Sequence, residues 1–336
     1  MENLTLDILI ITYNRAELFE KTLISVCEQT YKDFTIKVFN NGSTDNTKEV
    51  YEKVIEQYPN RRFEYLELEE NHLDEYFLQK KNAFITAEYV IVFHDDDLMH
   101  PRYVEHLIPI IKANPNVVLL GGKRKVSTVP ENLEWDEPQG DYVIGSAIDL
   151  AKWHFQGDTL CYPIVCYKSD ILKKAKYEEN RFGNRADIPF LIEIAKNGLV
   201  CELQDRFIHY RISENQTLNN IPTLEQRMNW LNYFAQHLLQ GDEEAAEILK
   251  ERTMDYCTRL GYLPFKEVLA LEWMDDERKK SIQKYFSPLR VYPRKVFYRA
   301  LRKITSYIAK LNSKYTGSYF KYKRRSDILK GKVFLR

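Results

Sequence analysis

The first 122 residues alternate between short β-rich runs and stretches of helical periodicity, and this alternation constrains the fold more than any other feature. LDILIITY (6–13) is a near-continuous apolar run, the pattern of a parallel strand covered on both faces. Leu18, Phe19, Thr22, Leu23, Ser25 and Val26 then recur at the period of a helix that ends near Glu28. FTIKVFN (34–40) predicts a second strand, NGSTDNT the turn and cap of a helix reaching Gln57, and FEYLEL (63–68) a third strand. A helix over 73–86 and strands at YVIVF (89–93) and VVLLGG (117–122) complete the pattern. Such a series makes βαβ units, so the expectation is an α/β fold with a mostly parallel sheet flanked by helices. Ligands of these sheets bind outside the carboxyl ends of the strands, which predicts that loops 12–15, 40–45 and 94–97 converge.

The rest of the chain divides in three. Residues 123–222 are less periodic, with a Trp- and Pro-containing loop at 130–140, a strand at PIVCY and a helix from Ile188 to Asn197. Residues 223–286 read as helical, with Gly241 and Asp242 marking the end of one helix and the start of the next. Pro288 and Pro293 lead into a segment, 287–336, of different character. Basic and acidic residues balance at 49 each, yet the part from Ser287 onward holds fifteen Lys/Arg against the single acid Asp327. There Phe297, Ala300, Leu301, Ile304, Ile308 and Leu311 share one helical face while Arg299, Arg302, Lys303 and Lys310 take the other, the arrangement of an interfacial helix. KYKRR (321–325) adds a basic cluster, so an anionic membrane surface is the expected partner, and packing on the acidic body is the alternative. No nucleic-acid-binding fold accompanies the charge, so no nucleic acid is expected. Five cysteines without a CxxC pair suit a reducing compartment, with a Cys161–Cys166 bridge a weaker option. No apolar run approaches the roughly 18 residues of a spanning helix. The expected location is cytoplasmic, peripheral on the inner face of the cell membrane.

Two constellations carry chemistry. HDDDLMHP (94–101) follows a strand directly, and three consecutive carboxylates repel one another unless a cation offsets them; oxygen ligands of this kind suit Mg²⁺ or Mn²⁺. An acidic turn capping the next helix accounts for one Asp and not three. In FNNGSTDNT (39–47), Asn40 and Asn41 end a strand, Gly42 permits a tight turn, and Ser43 to Asp45 offer caps. An Asn amide matches the hydrogen-bonding edge of uracil, although the same residues also make an ordinary turn.

ITYNR (11–15), NNGSTDNT (40–47), EYVIVFHDDDLMHP (88–101), ADIPFLIEIAKNG (186–198) and HYRISENQT (209–217) resemble, in order and spacing, the motifs of family 2 glycosyltransferases. The resemblance covers roughly residues 5–217. It implies an A-type glycosyltransferase fold with a helical C-terminal region, a nucleotide-sugar donor, a divalent metal and inversion at the anomeric carbon. It makes 1–222 the catalytic domain, with 1–122 as its donor half and 123–222 as its acceptor half, 223–286 a helical extension and 287–336 a basic amphipathic segment. It further implies that Thr12, Tyr13 and Arg15 lie along base and ribose, with Asn40 or Asn41 facing the base. Asp96 becomes the metal ligand, with Asp97 as second ligand, and Asp95 or Asp97 the ribose contact. Asp187 becomes the general base and Arg211 a pyrophosphate contact. Departures from the pattern are Ala186 for the usual Glu, Ser213 for a His, which His209 would replace, and Leu78 and Gln79, beside Lys80 and Lys81, for an Arg-Asn pair. Trp135, Trp153, His154 and Tyr162 are candidates for stacking on acceptor sugars. The function expected is transfer from a UDP-sugar to a hydroxyl of a cell-surface glycan or polyprenyl-linked oligosaccharide. A degenerate nucleotide- or glycan-binding scaffold is one alternative. A nucleotidyltransferase is the other, and TYNRAE is not the Gly-rich basic loop it would want.

Overall fold

The computed structural model describes residues 4–127, 134–155 and 160–211, with a few residues between 225 and 276. Apart from those few residues, the expected helical extension lies outside the described residues, as do the basic segment, Cys257 and Ser213. The elements in chain order begin β1 (Leu6–Thr12), α1 (Ala16–Cys27), β2 (Thr35–Asn40), α2 (Thr47–Gln57), β3 (Arg62–Glu67), α3 (Glu75–Phe84) and β4 (Tyr89–His94). They continue with β5 (Leu98–Met99), α4 (Tyr103–Ala113), β6 (Val117–Ser127), β7 (Tyr142–Gly145), α5 (Ala147–Phe155), β8 (Cys166–Lys168), α6 (Ser169–Leu172), α7 (Glu179–Phe182), α8 (Asp187–Ala195) and β9 (Leu199–Arg211). One sheet runs β3-β2-β1-β4-β8-β6-β9-β5, with β7 added to β9. β1 pairs in parallel with β2 and β4, β2 with β3, and β6 with β9. The expectation of a mostly parallel sheet holds, with β8 reversed between β4 and β6, and β5 and β7 reversed against β9.

Side chains alternate across the strands and so feed two cores. Ile8, Ile10, Ile36, Val38, Ile91 and Phe93 pack against Phe19, Leu23 and Val26 of α1 and Tyr103, Leu107 and Ile111 of α4. Leu9, Phe39 and Val90 face the other way, toward Trp153 of α5 and Leu191 and Ile194 of α8. α3 buries no side chain fully; Phe77 and Phe84 reach Phe39 edge-on at 5.3 and 6.3 Å. At the amino ends of the strands, the fully buried Lys37 meets Glu64 at 2.7 Å, Asp7 at 3.7 Å, and the Phe84 carbonyl. A buried cation needs such partners, and Asp7 also accepts from the Thr86 and Ala87 amides, fixing the entry to β4. Cys161 and Cys166 are buried free thiols, so they form no bridge.

The third quarter of the chain differs most from the sequence expectation. β9 runs for 13 residues, and β6 continues past Gly122 through Lys123, Arg124 and Lys125. Register shifts between these two strands break the alternation that would have revealed them, and the charges of Gln204–Arg206 and 123–125 hide the rest. In the PIVCY stretch only Cys166–Lys168 pairs as strand, after a helical turn at Tyr162–Ile164. Among the described residues no helix is long and apolar enough to cross a membrane.

Candidate functional site

The register sets Thr12 beside Asn40, Asn40 beside Glu67 and Ile11 beside His94, so the carboxyl ends of four strands finish level. The three loops converge there as expected. Asn14 takes a left-handed φ of 51°, tolerable for Asn, and its Oδ1 accepts from the Thr44 amide at 2.7 Å. Its own amide donates to Ser43 Oγ at 3.0 Å. Asp45 accepts from the Ala16 amide at 3.0 Å and the Thr47 amide at 3.1 Å, so one carboxylate caps the first turns of α1 and α2 together. A Cβ on Gly42 would lie 2.3 Å from the backbone of Glu70, and φ there is 77°, which is why glycine occupies the turn.

The loop after β4 splits its carboxylates between two tasks. Arg15 bonds Asp95 at 3.0 Å and Asp96 at 3.3 Å, tying the first loop to the third. His94, Asp96 and Asp97 bring one ligand atom each within 4.8 Å of one another. Burial, then the Asp96 charge, push the Asp97 carboxyl up to about 8, against the pull of Arg211. Asp97 Oδ1 accepts from the Arg211 amide at 2.9 Å, while Oδ2 is buried with no hydrogen-bond partner. Burial holds His94 below the ordinary imidazole range, which keeps it neutral and fit for a metal. An orphaned carboxylate oxygen, a second carboxylate and a neutral imidazole form a donor set that fits a divalent cation. Asp96 and Asp97 are the two members of this set that the sequence singled out as candidate metal ligands, and His94 is the third, which it did not single out. The loop is held from beneath: Thr22 donates to the carbonyls of Asp95 and Asp97 at 3.0 and 2.7 Å and accepts from Arg211 Nη2 at 3.1 Å. Arg211 also donates to the carbonyls of Leu18 and Asp96 and is 7% exposed, so its guanidinium braces the loop.

Asp187 opens α8. Burial raises its carboxyl pKa, and the Ile188 amide, Arg185 and Arg124 pull it back. The charges of both Asp97 and Asp187 act on Cys161, so the thiol lies near both. The Tyr162 ring lies 5.9 Å from His94. Arg124 sits 5.3 Å over the Tyr210 ring and acts on Asp187; within the run 123–125 nothing marked it out.

The remaining predicted residues divide. Tyr13 is 41% exposed at the end of β1, while Thr12 is buried beside it. Asn40 donates to Tyr65 Oη and Glu67 and accepts from the Ser43 amide. Asn41 donates to Asn71 Oδ1 at 2.7 Å and the His72 carbonyl at 2.8 Å and accepts from the His72 amide at 3.1 Å. Both amides are therefore engaged by the protein itself, and both residues are buried. Lys80 is exposed over the Tyr76 ring, and Lys81 is driven below its usual range by burial. His209 packs edge-on to Trp135 at 4.3 Å, and burial lowers it to about 4. Trp153 belongs to the core, and the His154 ring stacks at 5.8 Å on Phe234.

A mostly parallel sheet with an acid cluster at its carboxyl edge and a further carboxylate at the start of α8 defines the class of A-type glycosyltransferases. Residues 7–173 match the family model described as Glycosyl transferase family 2. The chain thus carries a family 2 glycosyltransferase domain and is a glycosyltransferase. An uncharacterized glycosyltransferase of Haemophilus influenzae is 21% identical over 279 residues, spanning 78% of this chain and 77% of that protein. The GalNAc(5)-diNAcBac-PP-undecaprenol beta-1,3-glucosyltransferase of Campylobacter jejuni is 26% identical over 188 residues, 54% of this chain and 58% of that one. S. aureus TarS 1–349, crystallised with UDP-GlcNAc, shares the fold at a TM-score of 0.56 and 15% identity, covering 96% of this chain and 92% of TarS 1–349.

Proposed function

We propose that the protein transfers a sugar from a UDP-sugar to a hydroxyl of a surface glycan or polyprenyl-linked oligosaccharide, with inversion and with Mn²⁺ or Mg²⁺ bound. The observation that carries this reading is the junction of Arg15, Asp95, Asp96 and Asp97 at the strand ends, with the charge of Asp187, like that of Asp97, acting on the nearby Cys161 thiol. The exposed ring of Tyr13 offers a face to the base, and Arg15 beside Asp95 suits the ribose and diphosphate. His94, Asp96 and Asp97 would hold the cation, which when bound offsets the charge of the departing diphosphate. Asp187, whose affinity for a proton is raised, takes the proton of the acceptor hydroxyl. The acceptor oxygen bonds to the anomeric carbon as the bond from that carbon to the diphosphate oxygen breaks on the opposite face. The UDP-GlcNAc of the TarS crystals and the undecaprenol-linked substrate in the name of the Campylobacter relative support the donor and acceptor classes. The fifteen basic residues after Ser287 support a seat on an anionic membrane, where such acceptors reside. The test is thermal shift and hydrolysis of a UDP-sugar panel by the full chain with and without Mn²⁺. A metal-dependent rise in melting temperature with release of UDP is expected, because a ligand of the native state stabilises it. No shift and no release with any UDP-sugar would refute the reading.

A further inference from the structure

The described residues include two exposed tyrosines at the edges of the site. Tyr13 lies on the donor side; Tyr177, 44% exposed, lies in the segment between α6 and α7. The Tyr177 ring is held from behind, 5.5 Å from Phe190 of α8 and 6.2 Å from Tyr162. Tyr162 in turn lies 5.9 Å from His94. A row of rings therefore runs from the molecular surface to the acid cluster, and Phe190 anchors its outer end three residues after Asp187. The Asp187 charge acts on both Tyr177 and Tyr162, so the carboxylate sits along this row. Beside burial, the charges that act on the Tyr177 phenol are Asp187 and Glu179, both acidic.

We propose that Tyr177 is the platform of an acceptor subsite that takes an uncharged pyranose ring and presents one of its hydroxyls to Asp187. The proposal rests on the reading of Asp187 as the base. A pyranose has one face of C–H groups and a rim of hydroxyls. The first fits against an aromatic ring fixed by its neighbours, and the second fits a carboxylate at the edge of that ring. Among the described residues, the charges that act on the phenol are those of the two carboxylates Asp187 and Glu179, which disfavour a uronic acid or a phosphorylated sugar against this ring. The fixed ring also lowers the cost of binding, since it is ordered before the sugar arrives.

The test uses saturation-transfer NMR on the full chain with methyl β-glucoside, methyl N-acetyl-β-glucosaminide and methyl β-glucuronide, each with and without UDP and Mn²⁺. The two neutral glycosides should bind through their C–H faces and the glucuronide more weakly. Tyr177→Ala should weaken the neutral glycosides about tenfold, the scale of about 1.4 kcal/mol for one aromatic contact. Tyr177→Phe should bind as the wild type does, and Tyr177→Leu, which keeps the apolar contact with Phe190, should bind as Tyr177→Ala does. UDP affinity should be the same in all four proteins. Undiminished glycoside binding by a folded Tyr177→Ala or Tyr177→Leu protein, a glucuronide bound as well as the glucoside, or no glycoside bound by the wild type overturns the proposal. Failure of UDP to bind the wild type instead defeats the donor reading, which the UDP-free arm separates from the subsite.

Discussion

Replacement of Asn41 by alanine tests whether this residue reads the donor base or builds the loop that surrounds it. Its amide makes three hydrogen bonds to residues 71–72, at 2.7, 2.8 and 3.1 Å, and the side chain is buried. At a net value of about 1 kcal/mol each, their loss costs about 3 kcal/mol, since the backbone groups of His72 are then left without a partner. For a chain of this size that corresponds to a fall in melting temperature of roughly 4 °C. Asn41→Asp keeps the acceptor for the His72 amide but sets an oxygen against the His72 carbonyl and Asn71 Oδ1, so it should be no better than alanine. Differential scanning calorimetry gives the stability, and titration with UDP and Mn²⁺ well below both transitions gives the affinity. UDP affinity should drop only a few-fold, because neither amide hydrogen is free for a base. A melting temperature unchanged to within a degree or so, with UDP binding lost, would refute the argument and make Asn41 a direct contact.

Asp187→Asn should leave UDP binding intact and lower kcat by roughly 10² or more, the scale of a lost general base; equal losses in both would make Asp187 structural. Asp96→Ala should abolish metal-dependent UDP binding in titrations, since Asp97 and His94 alone offer two of the three donors, and EDTA should have the same effect on the wild type. Gly42→Ala should melt lower by several degrees, because the new Cβ meets the Glu70 backbone and φ stays positive; a melt like the wild type's would show that the 70–71 segment yields. Stability should also fall with acid through His209. Its folded pKa of about 4 lies below the usual ~6.5 of an unfolded histidine, so the stabilisation is complete above about 6.5 and is lost as pH falls toward 4. Between pH 7 and 5 that amounts to about 1–2 kcal/mol in denaturant titrations, and His209→Phe should flatten the profile.

Residues 1–122 were legible because their signals are local. Apolar runs such as 6–13 and 89–93, the 3.6-residue period over 18–26 and the Asp cluster after a strand all lie within one or two elements, and the structure keeps them in place. Residues 123–222 were not, because β9 is interrupted by Gln204–Arg206 and shifts register against β6, which leaves no clean period to read. Likewise nothing in the run HDDDLMHP marked His94 as a partner of the acids that follow it. Only the strand geometry turns its ring toward Asp96 and Asp97.

The sequence by itself determined the order of the main strands and helices up to β6, the edge of the sheet at which chemistry gathers and the residue types present there. Tertiary structure decided which polar groups face a ligand and which are used up inside. Asn40, Asn41 and Arg211 have the chemistry of ligand contacts, yet their hydrogen bonds go to Glu67, His72 and Thr22. Those partners lie 27 to 189 residues away in the chain. A side chain's identity fixes how many hydrogen bonds it can make, and only the packing of distant segments fixes whether the protein or the substrate receives them.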